Sequence, residues 1–192
     1  MMHTKLVILD RDGTINQDSD DYVKTVDEWI PLPGAIDAMA RLHHAGWHVV
    51  IASNQSGLGR GLFDVATLNQ MHDKLNKLLS KAGGRVDAIF YCPHTPDEQC
   101  QCRKPQPGMF KQIGERFGVQ VADVHAVGDS LRDAQAAAAW GCQTHLVQTG
   151  KSQGLTGHAL PREFPATTRV HKDLSAFADW LISESSPKEF GA

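Results

Sequence analysis

The sequence has no apolar run approaching the roughly 20 residues that a membrane span requires. Its amino end holds one short apolar run, Leu6 to Leu9, before the acid at Asp10. A secretory signal needs an apolar core of about 7–15 residues and a small-residue cleavage site. The expectation is therefore a cytoplasmic protein with no membrane partner. A positive excess is lacking as well: 19 Lys and Arg stand against 22 Asp and Glu, for a net charge of -3. That argues against non-specific binding of nucleic acid but leaves room for a local anion site. None of Trp29, Trp47, Trp140 and Trp180 stands in a basic stretch that would suggest base stacking, so packing is their expected role. No internal repeat and no coiled-coil pattern is visible, and a monomer is expected. Cysteine is scarce, with four in 192 residues. Yet Cys92, Cys100 and Cys102 fall close together, and in a reducing compartment such clustering points to metal, not disulfides. Cys142 stands apart beside Gly141 and reads as a small buried apolar residue.

What is present is ordinary for a globular chain: 41% hydrophobic and 21% charged residues. The length suits one α/β domain over residues 1–192. Five short apolar runs read as buried strands: Leu6–Leu9, Trp47–Ala52, Val86–Tyr91, Val124–Val127 and Thr144–Val147. Between them lie segments with helical spacing, carried by Ile36, Met39 and Leu42, by Leu68, Met71, Leu75 and Leu79, by Met109, Phe110, Ile113 and Phe117, and by Ala134 to Trp140. A last helix is expected over Leu174–Ile182, with Asp173 as its cap. Residues 150–169 read as a loop and residues 183–192 as a frayed tail. A long turn covers about Asn16 to Pro33, and a cysteine loop covers 92–107. Alternating strands and helices imply a parallel sheet covered on both faces, with ligands beyond the carboxyl ends of its strands.

Three strand ends carry polar, glycine-containing sequences: Asp10-Arg11-Asp12-Gly13-Thr14, Ser53-Asn54-Gln55-Ser56-Gly57 and Gly128-Asp129-Ser130. Two carboxylates one residue apart can divide labour between attack and proton transfer. Asp129 adds a third carboxylate, and a set of carboxylates with a phosphate oxygen suits Mg²⁺. Ser53 offers a hydroxyl and an amide near a helix start, and Lys104 a positive charge. Asp133 has two readings, as a residue that orients Lys104 or a metal-bound water, or as an acid in the first turn of a helix.

These motifs, in this order and each at its element, resemble those of the haloacid dehalogenase (HAD) phosphohydrolase superfamily. The resemblance spans residues 5 to about 147 and implies a Rossmann-like three-layer domain. It implies that Asp10 is a nucleophile forming an aspartyl-phosphate, and that Asp12 protonates the leaving oxygen and then deprotonates water. Ser53 and Lys104 would hold the phosphoryl group. Mg²⁺ would be bound by Asp10, the main-chain carbonyl of Asp12, and Asp129. The presence of Asp12 makes dehalogenation an unsuitable activity.

Cys92, His94, Cys100 and Cys102 make a complete Cys₃His set for a structural Zn²⁺. The alternatives are a cluster of free thiols or a disulfide, and Cys100 and Cys102 are too close for an unstrained bridge. With Arg103 and Lys104 directly after it, the loop is similar to those of two groups in the superfamily, the heptose 1,7-bisphosphate phosphatases and the histidinol-phosphate phosphatases. Both lack a large cap domain. Asp12 to Asn16, the stretch from Ser53 to Phe63 and the Arg103-Lys104 pair favour the first group, whose C7-dephosphorylated product enters lipopolysaccharide or a related glycan. Ser53, Asn54, Arg60, Arg103 and Lys104 are then the substrate contacts, with Arg60 and Arg103 on the second phosphate. Arg60 could equally be a solvated loop residue, and Arg103 could pack on the metal loop. A cationic histidinol phosphate would ask instead for acids at the rim, which Asp18, Asp20 and Asp21 could supply. The histidines other than His94 have no partner at ligand spacing and read as surface or satisfied core residues.

Overall fold

A computed structural model describes residues 3–186. Six strands form one sheet: β1 (Leu6–Leu9), β2 (His48–Asn54), β3 (Ala88–Cys92), β4 (His125–Gly128), β5 (Gln143–Val147) and β6 (Arg169–His171). Their order is β3-β2-β1-β4-β5-β6, and every pairing is parallel. The helices are α1 (Ala35–His44), α2 (Ser56–Gly59), α3 (Val65–Lys81), α4 (Gly108–Phe117), α5 (Leu131–Trp140) and α6 (Leu174–Ser185). Chain order departs from β1 in both directions, towards β2 and towards β4. A crevice therefore opens beyond the end of β1, where such sheets bind ligands.

β1 is buried on both sides, so its residues alternate between two cores. Val7 and Leu9 face α1, α3 and α6 with Met39, Leu42, Leu68 and Phe177. Leu6 and Ile8 face α4 and α5 with Phe110, Ile113, Ala136 and Ala137. An unbroken apolar run is what a strand covered on both faces requires. No separate cap domain interrupts these elements among the described residues. The turn over residues 16–33 instead folds back through Trp29, which is fully buried, and Val23. No helix among the described residues is long and apolar enough to cross a membrane.

The five expected strands all form: β1 has the expected bounds, and the ends of the others shift by at most two residues. β6 falls at the end of the stretch expected to be loop. It is three residues long, its single aliphatic residue Val170 is exposed, and it joins by backbone pairing to β5. Nothing in its side chains announces a strand. The last helix runs to Ser185, so residues 183–185 are helical where a frayed tail is expected; residues 187–192 of that stretch lie outside the described residues.

The α6-facing side of the sheet also holds a row of imidazoles. His125 Nδ1 lies 2.9 Å from His145 Nε2, and His145 Nδ1 lies 2.9 Å from His171 Nε2. The three side chains run diagonally over β4, β5 and β6 beneath Phe177 and Trp180, with Trp47 against His125. Burial, the largest cause for each, pushes His125 and His171 down to about 4 and His145 down to about 2, so the row is neutral. These are core residues that satisfy one another.

Candidate active site

Asp10 is the first residue past β1, and its amide bonds the Val127 carbonyl at 2.9 Å. Lys104 reaches it from the far end of the cysteine loop. The Lys104 Nζ donates to Asp10 Oδ1 at 2.9 Å, to Asp133 Oδ1 at 2.6 Å and to the Ala52 carbonyl at 2.7 Å. All three ammonium hydrogens are thereby matched by acceptors. Burial opposes the charge on Lys104, but the carboxylates of Asp10 and Asp133 outweigh it and hold the amine protonated.

Asp133 fulfils both of its expected readings at once. Its Oδ2 accepts from the Ser130 amide and hydroxyl at 3.0 and 2.8 Å, which caps α5. Its Oδ1 holds Lys104.

Asp129 follows β4 and is 2% exposed. The Lys151 amide donates to its Oδ2 at 2.8 Å, and the Thr14 hydroxyl to its Oδ1 at 3.4 Å. Carboxylate oxygens of Asp10, Asp129 and Asp133 lie within 4.8 Å of one another. Burial first, then the charge of Asp133, raises Asp10 to about 6; burial first, then the charge of Asp10, raises Asp129 to about 9. Hard oxygen donors that repel one another and stand open to a crevice fit a divalent cation such as Mg²⁺. Gly13 allows the approach. Its φ is +85°, and a Cβ there would stand 2.1 Å from Asp129 Oδ2. A Cβ on Gly150 would stand 2.2 Å from the same oxygen.

The Asp12 carboxylate also lines the crevice and is held by donors on three sides. Arg11 Nε donates to Oδ1 at 2.9 Å and Nη2 to Oδ2 at 3.1 Å, Asn16 Nδ2 donates to Oδ1 at 2.8 Å, and Gln55 Nε2 donates to Oδ2 at 3.1 Å. Arg11 is fully buried and also donates to His72 Nε2 at 3.3 Å. Burial first, then the Arg11 charge, pushes His72 down to about 4, keeping it an acceptor. Gln55 Nε2 donates as well to Ser53 Oγ at 2.7 Å.

The crevice has a volume of about 220 Å³, and Asp10, Asp12, Ser53, Asn54, Arg103, Lys104 and Asp129 all line it. Arg60, expected beside them, is not among its lining residues. Its guanidinium lies over the ring of Tyr22, 5.8 Å from the centroid, and Tyr22 faces the crevice. Asn54 lines the crevice but spends its amide on the main chain of Lys104, donating to its carbonyl and accepting from its amide, each at 3.0 Å. Sequence reasoning gave no part to Arg11, Gln55, Gly150, Lys151 or Arg132. Only Arg11 carried a signal, a charged residue between two catalytic-type aspartates. Lys151 pairs with Asp18 at 2.8 Å and Asp20 at 3.2 Å, tying the 16–33 turn to the segment after β5.

Beside the crevice, the cysteine loop brings Cys92, His94, Cys100 and Cys102 together. Sγ–Sγ distances are 3.0 to 3.6 Å, and His94 Nδ1 lies 3.4 Å from Cys92 Sγ and 3.2 Å from Cys102 Sγ. The cysteines are free thiols. A tetrahedron around Zn²⁺ with bonds of about 2.3 Å has edges of roughly 3.8 Å, so four such donors fit a metal after small expansion.

A family model described as HAD-hydrolase-like matches residues 101–177. The chain is 57% identical over 181 residues to a D-glycero-beta-D-manno-heptose-1,7-bisphosphate 7-phosphatase of Bordetella bronchiseptica, covering 94% of this chain and 99% of the relative. It is 52% identical to the enzyme of that name from Pseudomonas aeruginosa, with the same coverage. Among solved structures, the D,D-heptose 1,7-bisphosphate phosphatase of B. bronchiseptica, complexed with magnesium and phosphate, matches with a TM-score of 0.90 and 56% identity over 95% of this chain and 100% of that one. The corresponding phosphatase from Burkholderia thailandensis matches with a TM-score of 0.70 and 50% identity over 93% and 99%.

Proposed function

This chain belongs to the HAD-like hydrolase family, and we propose that it hydrolyses the C7 phosphate of D-glycero-D-manno-heptose 1,7-bisphosphate, releasing heptose 1-phosphate for nucleotide-heptose synthesis. The observation that carries the chemistry is the buried Lys104 ammonium gripping Asp10 at the floor of a crevice. Near-complete coverage of relatives at 52–57% identity supports the substrate.

Asp10 attacks phosphorus. The P–O bond to the sugar breaks, and the leaving oxygen takes a proton from Asp12. Water then attacks the aspartyl-phosphate and gives its proton to Asp12, and the bond between phosphorus and Asp10 breaks to release phosphate. Arg11, Asn16 and Gln55 aim the Asp12 carboxylate for both transfers. Lys104 offsets the repulsion between the Asp10 carboxylate and the phosphoryl oxygens. Ser53 lies beside them with its hydroxyl fixed by Gln55. Asp10, the Asp12 carbonyl and Asp129 would hold Mg²⁺, which supplies further charge neutralisation.

Of the acids expected to meet a cationic substrate, Asp18 and Asp20 line the crevice and both are paired with Lys151, and Asp21 is not among the lining residues. This disfavours histidinol phosphate. The test is phosphate release with Mg²⁺ from the heptose bisphosphate and from histidinol phosphate at matched concentrations. A strong preference for the bisphosphate is expected; a preference for histidinol phosphate, or no Mg²⁺-dependent release, overturns the reading.

We read the Cys₃His cluster as a structural Zn²⁺ site. Metal analysis of the purified protein should find one zinc per chain, and Cys100→Ser should lose it and lower the melting temperature.

A further inference from the structure

The catalytic crevice shares a wall with a second cavity of about 480 Å³ that lies against the cysteine loop. Three cations line both spaces: Arg103, Lys104 and Arg132. Lys104 is committed to Asp10 and Asp133. The arginines are not. Among the described residues the Arg103 side chain donates only to the His94 carbonyl, at 3.4 Å, and the Arg132 side chain makes no hydrogen bond or ion pair. By contrast, Arg11, Arg41 and Arg85 each hold a carboxylate. Lys151, the remaining cation on the crevice, is offset by Asp18 and Asp20.

The two arginines come from different elements. Arg103 directly follows the last ligand of the Cys₃His cluster. Arg132 is the second residue of α5, between Asp129 and Asp133. Both side chains line the same two spaces, so an anion entering there meets both. Two guanidinium forks are also the donor set that a phosphoryl group accepts best.

We propose that Arg132 is a specificity-determining residue of this site, which with Arg103 takes the phosphoryl group of the substrate that does not react. This rests on the sugar-bisphosphate reading above. It gives Arg132 the place that the sequence gave to Arg60, whose guanidinium lies over the Tyr22 ring and which does not line the crevice.

The experiment compares wild type, Arg132→Gln and Arg132→Lys on heptose 1,7-bisphosphate and on p-nitrophenyl phosphate, an ester with one phosphoryl group. Arg132 is exposed, so neither substitution threatens the fold. Arg132→Gln should lower kcat/KM on the bisphosphate by about 10–100-fold, mainly through KM, as loss of a charged hydrogen bond implies. The loss on p-nitrophenyl phosphate should be at least about ten-fold smaller, and Arg132→Lys should restore part of the bisphosphate rate. Equal losses on the two esters, or no loss on the bisphosphate, overturn the proposal. A wild-type enzyme with no preference for the bisphosphate overturns the substrate reading and the two-arginine site with it, and that outcome is visible before any variant is measured.

Discussion

Asn54 holds the main chain of Lys104 at both of its polar ends: its Nδ2 donates to the carbonyl and its Oδ1 accepts from the amide, each at 3.0 Å. The sequence suggested a substrate contact for this side chain, which lines the crevice, and these two bonds add a positioning role for the lysine. Asn54→Ala should lower kcat/KM by about 10–100-fold, since small displacements of a charged group at the reaction centre are costly. The loss should appear on mono- and bisphosphate alike, measured by steady-state phosphate release. A loss confined to the bisphosphate would return Asn54 to direct substrate binding.

Lys104→Met should cost about 10²–10³-fold in kcat. It should also lower stability, because Asp10 and Asp133 would face each other in the interior with no cation between them. Removing one partner of a buried ion pair costs roughly 3–5 kcal/mol. Denaturant unfolding of Lys104→Met and of Lys104→Met with Asp133→Asn checks the cause: the second change should recover part of the lost stability, and no recovery would sink the account.

Gly150→Ala should act on the cation site. The added Cβ would meet Asp129 Oδ2 at 2.2 Å and the Gly13 Cα at 2.6 Å, at a backbone φ of +52°. The carboxylate must move, and the Mg²⁺ concentration for half-maximal activity should rise by about ten-fold or more, in line with the cost of disturbing the surroundings of a ligand. An unchanged Mg²⁺ titration would show that Asp129 tolerates the shift.

Acid should unfold the protein early. His125 and His171 are depressed to about 4, His145 to about 2 and His72 to about 4, all below the ordinary histidine value near 6.5. As pH falls from about 6.5 to 4, the unfolded chain takes up four protons that the folded chain refuses. Asp10 and Asp129 work in the opposite sense, since their raised values of about 6 and about 9 leave the folded chain holding two protons the unfolded chain lacks. The net dependence approaches two protons, each worth about 1.4 kcal/mol per pH unit. Urea unfolding at pH 7 and pH 5 measures it; a flat profile would mean that the imidazoles admit water and charge.

The two faces of β1 and the aspartates after it were legible because a short apolar run followed by charge is a local pattern. The Cys₃His set was legible for the same reason: its ligands lie within eleven residues of chain. What could not be read is what the sheet order brings together. His125, His145 and His171 meet only through the diagonal register of three parallel strands. Gly150 and Lys151 reach Asp129 from a stretch with no periodicity. Arg60 was chosen for its chemistry, and only the fold distinguishes it from Arg132. Asp133 satisfies a helix-capping pattern so well that its second bond, to Lys104, leaves no mark on the sequence.

The imidazole row has one more property. Each neutral ring carries a single N–H, so the two nitrogen–nitrogen bonds must point the same way along the row. Either His125 donates to His145 and His145 to His171, or both bonds are reversed. The tautomer of His145 dictates those of its neighbours, and reversing one bond alone would leave His145 with two donors or none. The core beneath α6 therefore has a direction, with two mirror settings that differ only in where three hydrogens sit.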